Sequence, residues 1–227
     1  NSAAVSSHNP NFIVKNNSSA VDETVNDVWY SSDGINWTQA TASAGWSPRE
    51  GLGAVVFDNK IWIMGGRNGS STVYNDIWYS TDGINWTQAT ASAGWATRAF
   101  FGLVDGGDGK LYLYGGEQDS NQTPVYKDVW SSADGINWSL VNSDASWGPR
   151  SHFAAEGFNS QIWVFAGVKD YAVHNDVWSS SGGYPNDNPS IQNNSGVSFS
   201  ALGTLSETLG AGNQGSVQYQ ISNLISS

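Results

Sequence analysis

One unit of about fifty residues is written four times in register along this chain, and nothing else in it restricts the fold as strongly. Trp29, Trp78, Trp130 and Trp178 follow one another at intervals of 49, 52 and 48 residues. Trp37, Trp86 and Trp138 keep the first two intervals, as do Trp46, Trp95 and Trp147 and, just beyond them, Arg49, Arg98 and Arg150. The first two repeats are nearly identical over NDVWYSSDGINWTQATASAGW at 26–46 and NDIWYSTDGINWTQATASAGW at 75–95. Helical and leucine-rich repeats are shorter than this, and a period near fifty suits a blade of four strands.

Within the second repeat the local signals follow in a fixed order. An apolar run at 51–57 suits a strand buried on both faces, and Asp58-Asn59-Lys60 turns it back into Ile61–Met64. Gly65-Gly66 ends that strand, because paired glycines permit positive φ and close backbone approach. A polar loop at 67–75 leads to Asp76-Ile77-Trp78-Tyr79-Ser80, and Asp82-Gly83 is a hairpin signal ahead of Asn85-Trp86-Thr87. The third repeat gives Leu111–Gly116, Asp128-Val129-Trp130 and Asp134-Gly135; the fourth gives Ile162–Gly167 and Asp176-Val177-Trp178. In the first repeat Phe12–Lys15 runs into Asn16-Asn17 where glycines stand elsewhere, and asparagine is the residue after glycine that best tolerates left-handed geometry.

Composition narrows the class. The net charge is −11 with nine Lys and Arg, so neutralising a phosphate backbone is excluded as a role and no nucleic-acid partner is expected. No stretch approaches the roughly eighteen apolar residues of a membrane span. Cysteine is absent, which removes disulfides, thiolate nucleophiles and cysteine-ligated zinc together. No motif calls for a cofactor.

An arginine, an apolar strand, Gly-Gly, Asp-Val-Trp and a closing tryptophan, four times over, resemble the kelch repeat, a β-propeller blade. The DVWYSSDGINW variety resembles the bacterial, extracellular, galactose-oxidase-like kelch proteins. The resemblance covers about residues 1–183, and the first repeat departs most, with Asn1 at the place of the arginine. The expected fold is all-β: four kelch-type blades over 1–185, part of a larger ring or completed by another segment, since closed propellers take about four to eight blades.

The fourth repeat is expected to lack its last strand, since Gly182-Gly183-Tyr184-Pro185-Asn186 stands in place of the Asp-Gly-Ile-Asn-Trp hairpin. From 186 to 227 Asn, Ser and Gly dominate, and the alternating stretches 197–202 and 216–221 read as the start of a β-sandwich-like module after a linker, or as strands that lend the missing one.

Candidate sites each have a scaffold alternative. Arg49, Arg98 and Arg150 can clasp a ligand carboxylate around one axis, or bond backbone or a carboxylate between blades, because a residue demanded by every repeat serves the repeat. Trp46, Trp95 and Trp147, in the loops ahead of the arginines, are candidates for stacking on sugar rings, or are core. Asp33, Asp82 and Asp134 superficially resemble the sialidase Asp-box with one residue missing, and also fit hairpin-stabilising turns. Asp105 and Asp108 lie in a glycine-rich stretch that lacks the twelve-residue calcium-loop pattern, so they are weak metal candidates. His8, His152 and His174 form no ligand pair. Asn68 and Asn121 are the loop sequons open to glycosylation.

Three functions are therefore open. The leading expectation is a non-catalytic, extracellular or cell-surface scaffold, adhesive in character, that binds protein or glycan through the loops where the repeats differ, 67–75, 117–127 and 168–175. The second is a structural subunit of a surface layer or filament, self-associating through 186–227. The third is an enzyme. The kelch resemblance includes galactose oxidase, whose Tyr-Cys crosslink cannot form without cysteine, and sialic-acid mutarotases, for which Arg150, His152 and Glu156 are the residues the resemblance implies.

Overall fold

The computed structural model describes residues 2–5, 12–15, 24–69, 72–118, 123–159, 161–169, 172–180 and 191–193, the first two segments and the last as backbone. These residues form four antiparallel sheets of four strands. Blade one is β1 (Ser2–Val5), β2 (Phe12–Lys15), β3 (Val28–Tyr30) and β4 (Thr38–Thr41). Blade two is β5 (Gly53–Phe57), β6 (Lys60–Met64), β9 (Ile77–Ser80) and β10 (Thr87–Thr90), with a two-stranded ribbon of β7 (Arg67–Asn68) and β8 (Thr72–Val73) in its loop. Blade three is β11 (Gly102–Asp105), β12 (Leu111–Tyr114), β13 (Val129–Ser132) and β14 (Ser139–Asn142). Blade four is β15 (Ala154–Phe158), β16 (Gln161–Lys169), β17 (Ala172–Ser180) and β18 (Ile191–Asn193).

One expectation about the fourth repeat changes. Its last strand is present: β18 pairs with β17 through Trp178↔Asn193 and Ser180↔Ile191. A strand edge needs backbone partners more than it needs a particular motif, and residues beyond Pro189 supply them without the Asp-Gly hairpin. The chain divides into a unit of Asn1–Ser195, which holds the four blades, and a unit of Gly196–Ser227. The alternating stretches at 197–202 and 216–221 lie outside the described residues.

The first strands of the four blades lie side by side in chain order, β1 by β5, β5 by β11 and β11 by β15. The core sits between blades. Val28, Ala44 and Trp46 of blade one and the loop after it meet Ile63, Ala54 and Trp78 of blade two. Val55, Trp62, Met64, Ile77 and Trp95 meet Leu111, Leu113 and Trp130 of blade three. Val104, Tyr112, Tyr114 and Trp147 meet Ile162, Val164 and Trp178 of blade four. Alternation along a strand sends neighbouring residues to opposite faces, so each blade has a front, facing the next blade, and a rear, facing the previous one.

The shared residues of the repeat are spent on building these joints. Arg49, Arg98 and Arg150 are 3, 0 and 1 % exposed. Arg98 donates from Nη1 and Nη2 to the two carboxylate oxygens of Asp128, at 2.7 and 2.9 Å, and from Nη1 to the Gly115 carbonyl at 2.8 Å. Arg49 does the same with Asp76 and Gly65, and Arg150 with Asp176 and Ala166. Asp76, Asp128 and Asp176 each also accept the indole N–H of the tryptophan two residues on, Trp78, Trp130 and Trp178. Asn75 fastens the connecting loop by donating to the Ala93 and Trp95 carbonyls, as Asn26 does to those of Ala44 and Trp46.

Removing one member of a buried, doubly hydrogen-bonded pair strands the other charge without water, which costs about 3–5 kcal/mol. Asp128→Ala is therefore expected to destabilise the protein by roughly that amount, measured by urea unfolding. A loss under about 1 kcal/mol, as for exposed pairs, would show that the guanidinium is solvated instead.

Candidate functional site

The strand directions divide the blades into two sides. On one lie the starts of β5, β11 and β15, the ends of β6, β12 and β16, and hence the arginine corners and the loops in which the repeats differ. On the other lie the Asp-Gly turns, which are alike.

Those turns are complete within themselves. Asp82 Oδ1 accepts the backbone N–H groups of Ile84 and Asn85 at 2.8 Å each, Oδ2 accepts the Asn85 amide at 2.7 Å, and Ser80 donates its hydroxyl at 2.9 Å. Asp33 and Asp134 repeat the pattern. The hydrogen bonds, led by the Asn85 side chain for Asp82 and the Asn36 N–H for Asp33, hold these carboxyls far below the usual range. Burial works to raise the Asp134 carboxyl, but the bonds from Asn137, Ile136 and Ser132 outweigh it and lower it to about 2.

The variable side carries a polar cluster that is not repeated. Arg67 donates from Nε to Glu50 at 3.0 Å and from Nη1 to Glu117 Oε1 at 2.9 Å. Ser151 donates its hydroxyl to the other Glu117 oxygen at 2.6 Å and lies 3.0 Å from His152 Nδ1. Glu117, 1 % exposed, thus links blades two, three and four. With the serine proton committed to Glu117, Nδ1 of His152 donates to Ser151, and Nε2 is left as an acceptor with no partner among the described residues.

The backbone beneath the cluster is strained in a regular way. Gly51, Phe100 and His152 occupy one position in successive repeats, with φ of 63, 54 and 54°. Gly51 adopts this freely; a bulky residue there costs about 1–3 kcal/mol, and such strain concentrates at functional sites. A backbone staircase holds it, with Phe100 N–H bonded to Gly51 O at 2.8 Å and His152 N–H to Phe100 O at 3.0 Å. A Cβ on Gly51 would meet the Phe100 ring at 2.9 Å, so the ring lies directly over the glycine. The His152 ring stacks on Phe100 with centroids 3.8 Å apart and planes 14° from parallel, and the histidine side chain is 36 % exposed. Arg67 sits over the same Phe100 ring at 4.7 Å.

The residues singled out from sequence are placed as follows. Arg49, Arg98 and Arg150 face inward, so the carboxylate clasp gives way to ion pairs inside each blade. Trp46, Trp95 and Trp147 are 2, 1 and 2 % exposed, and Trp46 packs edge-on against Trp86 at 4.5 Å; they are core, not a sugar-stacking display. Asp105 accepts the Gly107 N–H, while Asp108 accepts the Lys110 N–H and the Tyr112 hydroxyl at 2.8 Å. Among the described residues no three His, Asp or Glu side chains gather for a metal. Asn68 is exposed and accepts from Thr24, and Asn121 lies outside the described residues. Arg150, His152 and Glu156 do not converge: Arg150 is buried on Asp176, His152 joins the cluster, and Glu156 is exposed on β15. Glu50, Arg67, Phe100, Glu117 and Ser151 were not singled out. Their signal is that they occupy matched places in the repeat with different residues, Glu50/Ala99/Ser151, Gly51/Phe100/His152 and Arg67/Glu117/Val168.

Burial pushes the His152 imidazole below its ordinary pKa, and nearby Arg67 adds to this; Glu117 and Glu50 act in the opposite direction without prevailing. A histidine depressed on folding takes up fewer protons than in the unfolded chain, so its contribution to stability is present above the unfolded pKa near 6.5 and is lost as pH falls through the folded value. Wild type is expected to lose stability between about pH 7 and 5, and His152→Gln to lose less over that window, by thermal or urea unfolding. Parallel curves would assign the loss to other groups.

Among the described residues no helix is long and apolar enough to cross a membrane. No curated protein matches the chain. Residues 48–79 match the family model of the Kelch motif, a span running from the residue before Arg49 through β5, β6 and β9. With the arginine corner, the paired turn after the second strand and the Asp-x-Trp of the third recurring in register, the described residues form an all-β array of kelch-type blades.

Proposed function

We propose that this chain is a non-catalytic, extracellular scaffold that binds a partner through the variable side of its blades, centred on the Phe100–His152 stack. One observation carries the reading: the recurring arginines and the tryptophans ahead of them are consumed inside the fold, whereas residues that differ between repeats collect on one side around the exposed His152 stacked on Phe100. Protein is the partner class that the kelch motif supports. A glycan is the second reading, favoured by a stacked ring of the kind on which a sugar face can lie. The net charge of −11 suits a partner with a basic contact surface.

An enzymatic reading finds no such support in the cluster. Ser151 is wholly buried with its proton held by Glu117, which suits a joint better than a nucleophile. The extracellular placement rests on the resemblance and on the Asn-rich, Lys-poor composition.

Screening the whole chain on a glycan array and against a displayed protein library tests the reading. His152→Ala, and replacement of residues 67–73 by Gly and Ser, are each expected to weaken capture at least tenfold. Ile84→Ala, on the opposite side and exposed, leaves it unchanged. Equal losses from all three variants, or capture of nothing by folded wild type, overturn it.

A further inference from the structure

A glycine that follows Asn or Asp leaves its backbone nitrogen unscreened by a side chain, so that nitrogen can reach Cγ of the residue before it and close a succinimide ring. Whether it does so depends on what holds the two atoms. In the three repeated Asp-Gly turns both are held. The N–H groups of Gly34, Gly83 and Gly135 donate to the hydroxyls of Ser31, Ser80 and Ser132 at 2.8, 2.8 and 2.9 Å. The carboxylates of Asp33, Asp82 and Asp134 accept from the two residues after the glycine. Those bonds keep the groups ionised, and a carboxylate is a poor electrophile.

Asn68-Gly69, the one Asn-Gly pair in the sequence, is built differently. It stands at the end of β7 in the ribbon on the variable side, with Asn68 exposed. Gly69 has φ 54°, and nothing lies within 4 Å of where its Cβ would stand. Among the described residues its N–H has no hydrogen-bond partner. The Asn68 amide oxygen accepts the Thr24 hydroxyl at 3.1 Å. That bond draws electron density from Cγ and steadies the negative charge the oxygen gains on attack. The ribbon pairs two residues with two, Arg67↔Val73 and Asn68↔Thr72. Paired strands so short are marginal by themselves, so the backbone at Asn68 opens locally at little cost and Cγ can turn to Gly69 N.

We infer that Asn68 is a self-modification site, which converts to aspartate and isoaspartate by attack of the Gly69 nitrogen. The nitrogen gives its proton to solvent and bonds to Asn68 Cγ; the Cγ–Nδ2 bond breaks, and Nδ2 leaves as ammonia. Water then opens the succinimide at either carbonyl. Opening at Cγ gives aspartate, and opening at the α-carbonyl gives isoaspartate, in which the main chain runs through the side-chain carbons. The net exchange is water in and ammonia out, with no change of oxidation state. Either product adds a negative charge next to Arg67, which joins Glu50 to Glu117 and lies over the Phe100 ring. Isoaspartate also lengthens the backbone by one carbon and breaks the Asn68↔Thr72 register. A glycan on the Asn68 sequon would occupy the same Nδ2, so the two modifications exclude each other.

Incubating the whole folded chain in mildly alkaline buffer, with peptide mapping by mass spectrometry and isoaspartate quantitation, tests the inference. Asn68 is expected to deamidate roughly tenfold or more faster than the other asparagines of the described residues, to both products, at a rate that rises with pH. Asp33, Asp82 and Asp134 stay unisomerised in the folded chain, and unfolding in urea speeds them far more than it speeds Asn68. Thr24→Val, which keeps the shape and removes the hydroxyl, slows the reaction several-fold. Asn68→Gln, whose longer side chain cannot close the same ring, stops it with the fold intact by circular dichroism. Asn68 reacting no faster than those other asparagines, a rate indifferent to Thr24→Val, or aspartates that isomerise as fast folded as unfolded overturns it.

Discussion

The structure hangs on one bond pattern, the arginine–aspartate pair buried at the corners of blades two, three and four. A guanidinium presents a flat fork of donors that a carboxylate matches with two parallel bonds. In blades two and three that fork also reaches the carbonyl just past the second strand, and the aspartate directly precedes the third; in blade four the same contacts fall inside the longer β16 and β17. The pair therefore fixes where three segments of one blade begin and end. Aromatic rings complete the enclosure: Arg49 lies 3.9 Å from the Tyr74 ring and Arg98 4.1 Å from that of Tyr126. With its charge matched and its fork turned into the blade, the corner presents little to a ligand, so the residues that recur most faithfully tell most about the fold and least about function.

Legibility in the sequence follows from that division. The strands of blades two and three could be placed because turn glycines, Asp-Gly pairs and apolar runs are local signals with local causes. Pairing of Arg98 with Asp128 spans thirty residues, and no local pattern connects them. The arginines thus stood out without their partners, and their recurrence around an axis suggested a ligand clasp. Trp46, Trp95 and Trp147 were ambiguous for the same reason, since a tryptophan in a polar loop is read as displayed until the neighbouring blade that covers it is known. The last strand of blade four was missed because the missing hairpin motif was taken for a missing strand; β18 pairs by backbone and carries no such motif.

The Phe100–His152 stack was legible in a different sense. Its members stand at repeat positions where a glycine is the comfortable choice, and two of three repeats forgo it. Left-handed geometry at a phenylalanine and a histidine persists because the staircase of backbone bonds from Gly51 through Phe100 to His152 over-determines it. A substitution that a scaffold does not need, at a position where it costs energy, is the kind of departure that sets a functional position apart from a structural one.

Blade arrays are close to one-dimensional, so each blade is stabilised by its neighbours and the ends carry what the middle does not. Blades two and three bury both faces of their second strand: Ile61, Trp62, Ile63 and Met64 are all enclosed, as are Leu111, Tyr112, Leu113 and Tyr114. Blade four buries Ile162 and Val164 on its rear and leaves Trp163 and Phe165 less covered on its front. The two halves of that strand thus differ as its described neighbours do: its rear is covered by blade three, while the front positions keep the register of blades two and three with Glu156, Ser179 and Ala166 departing from it.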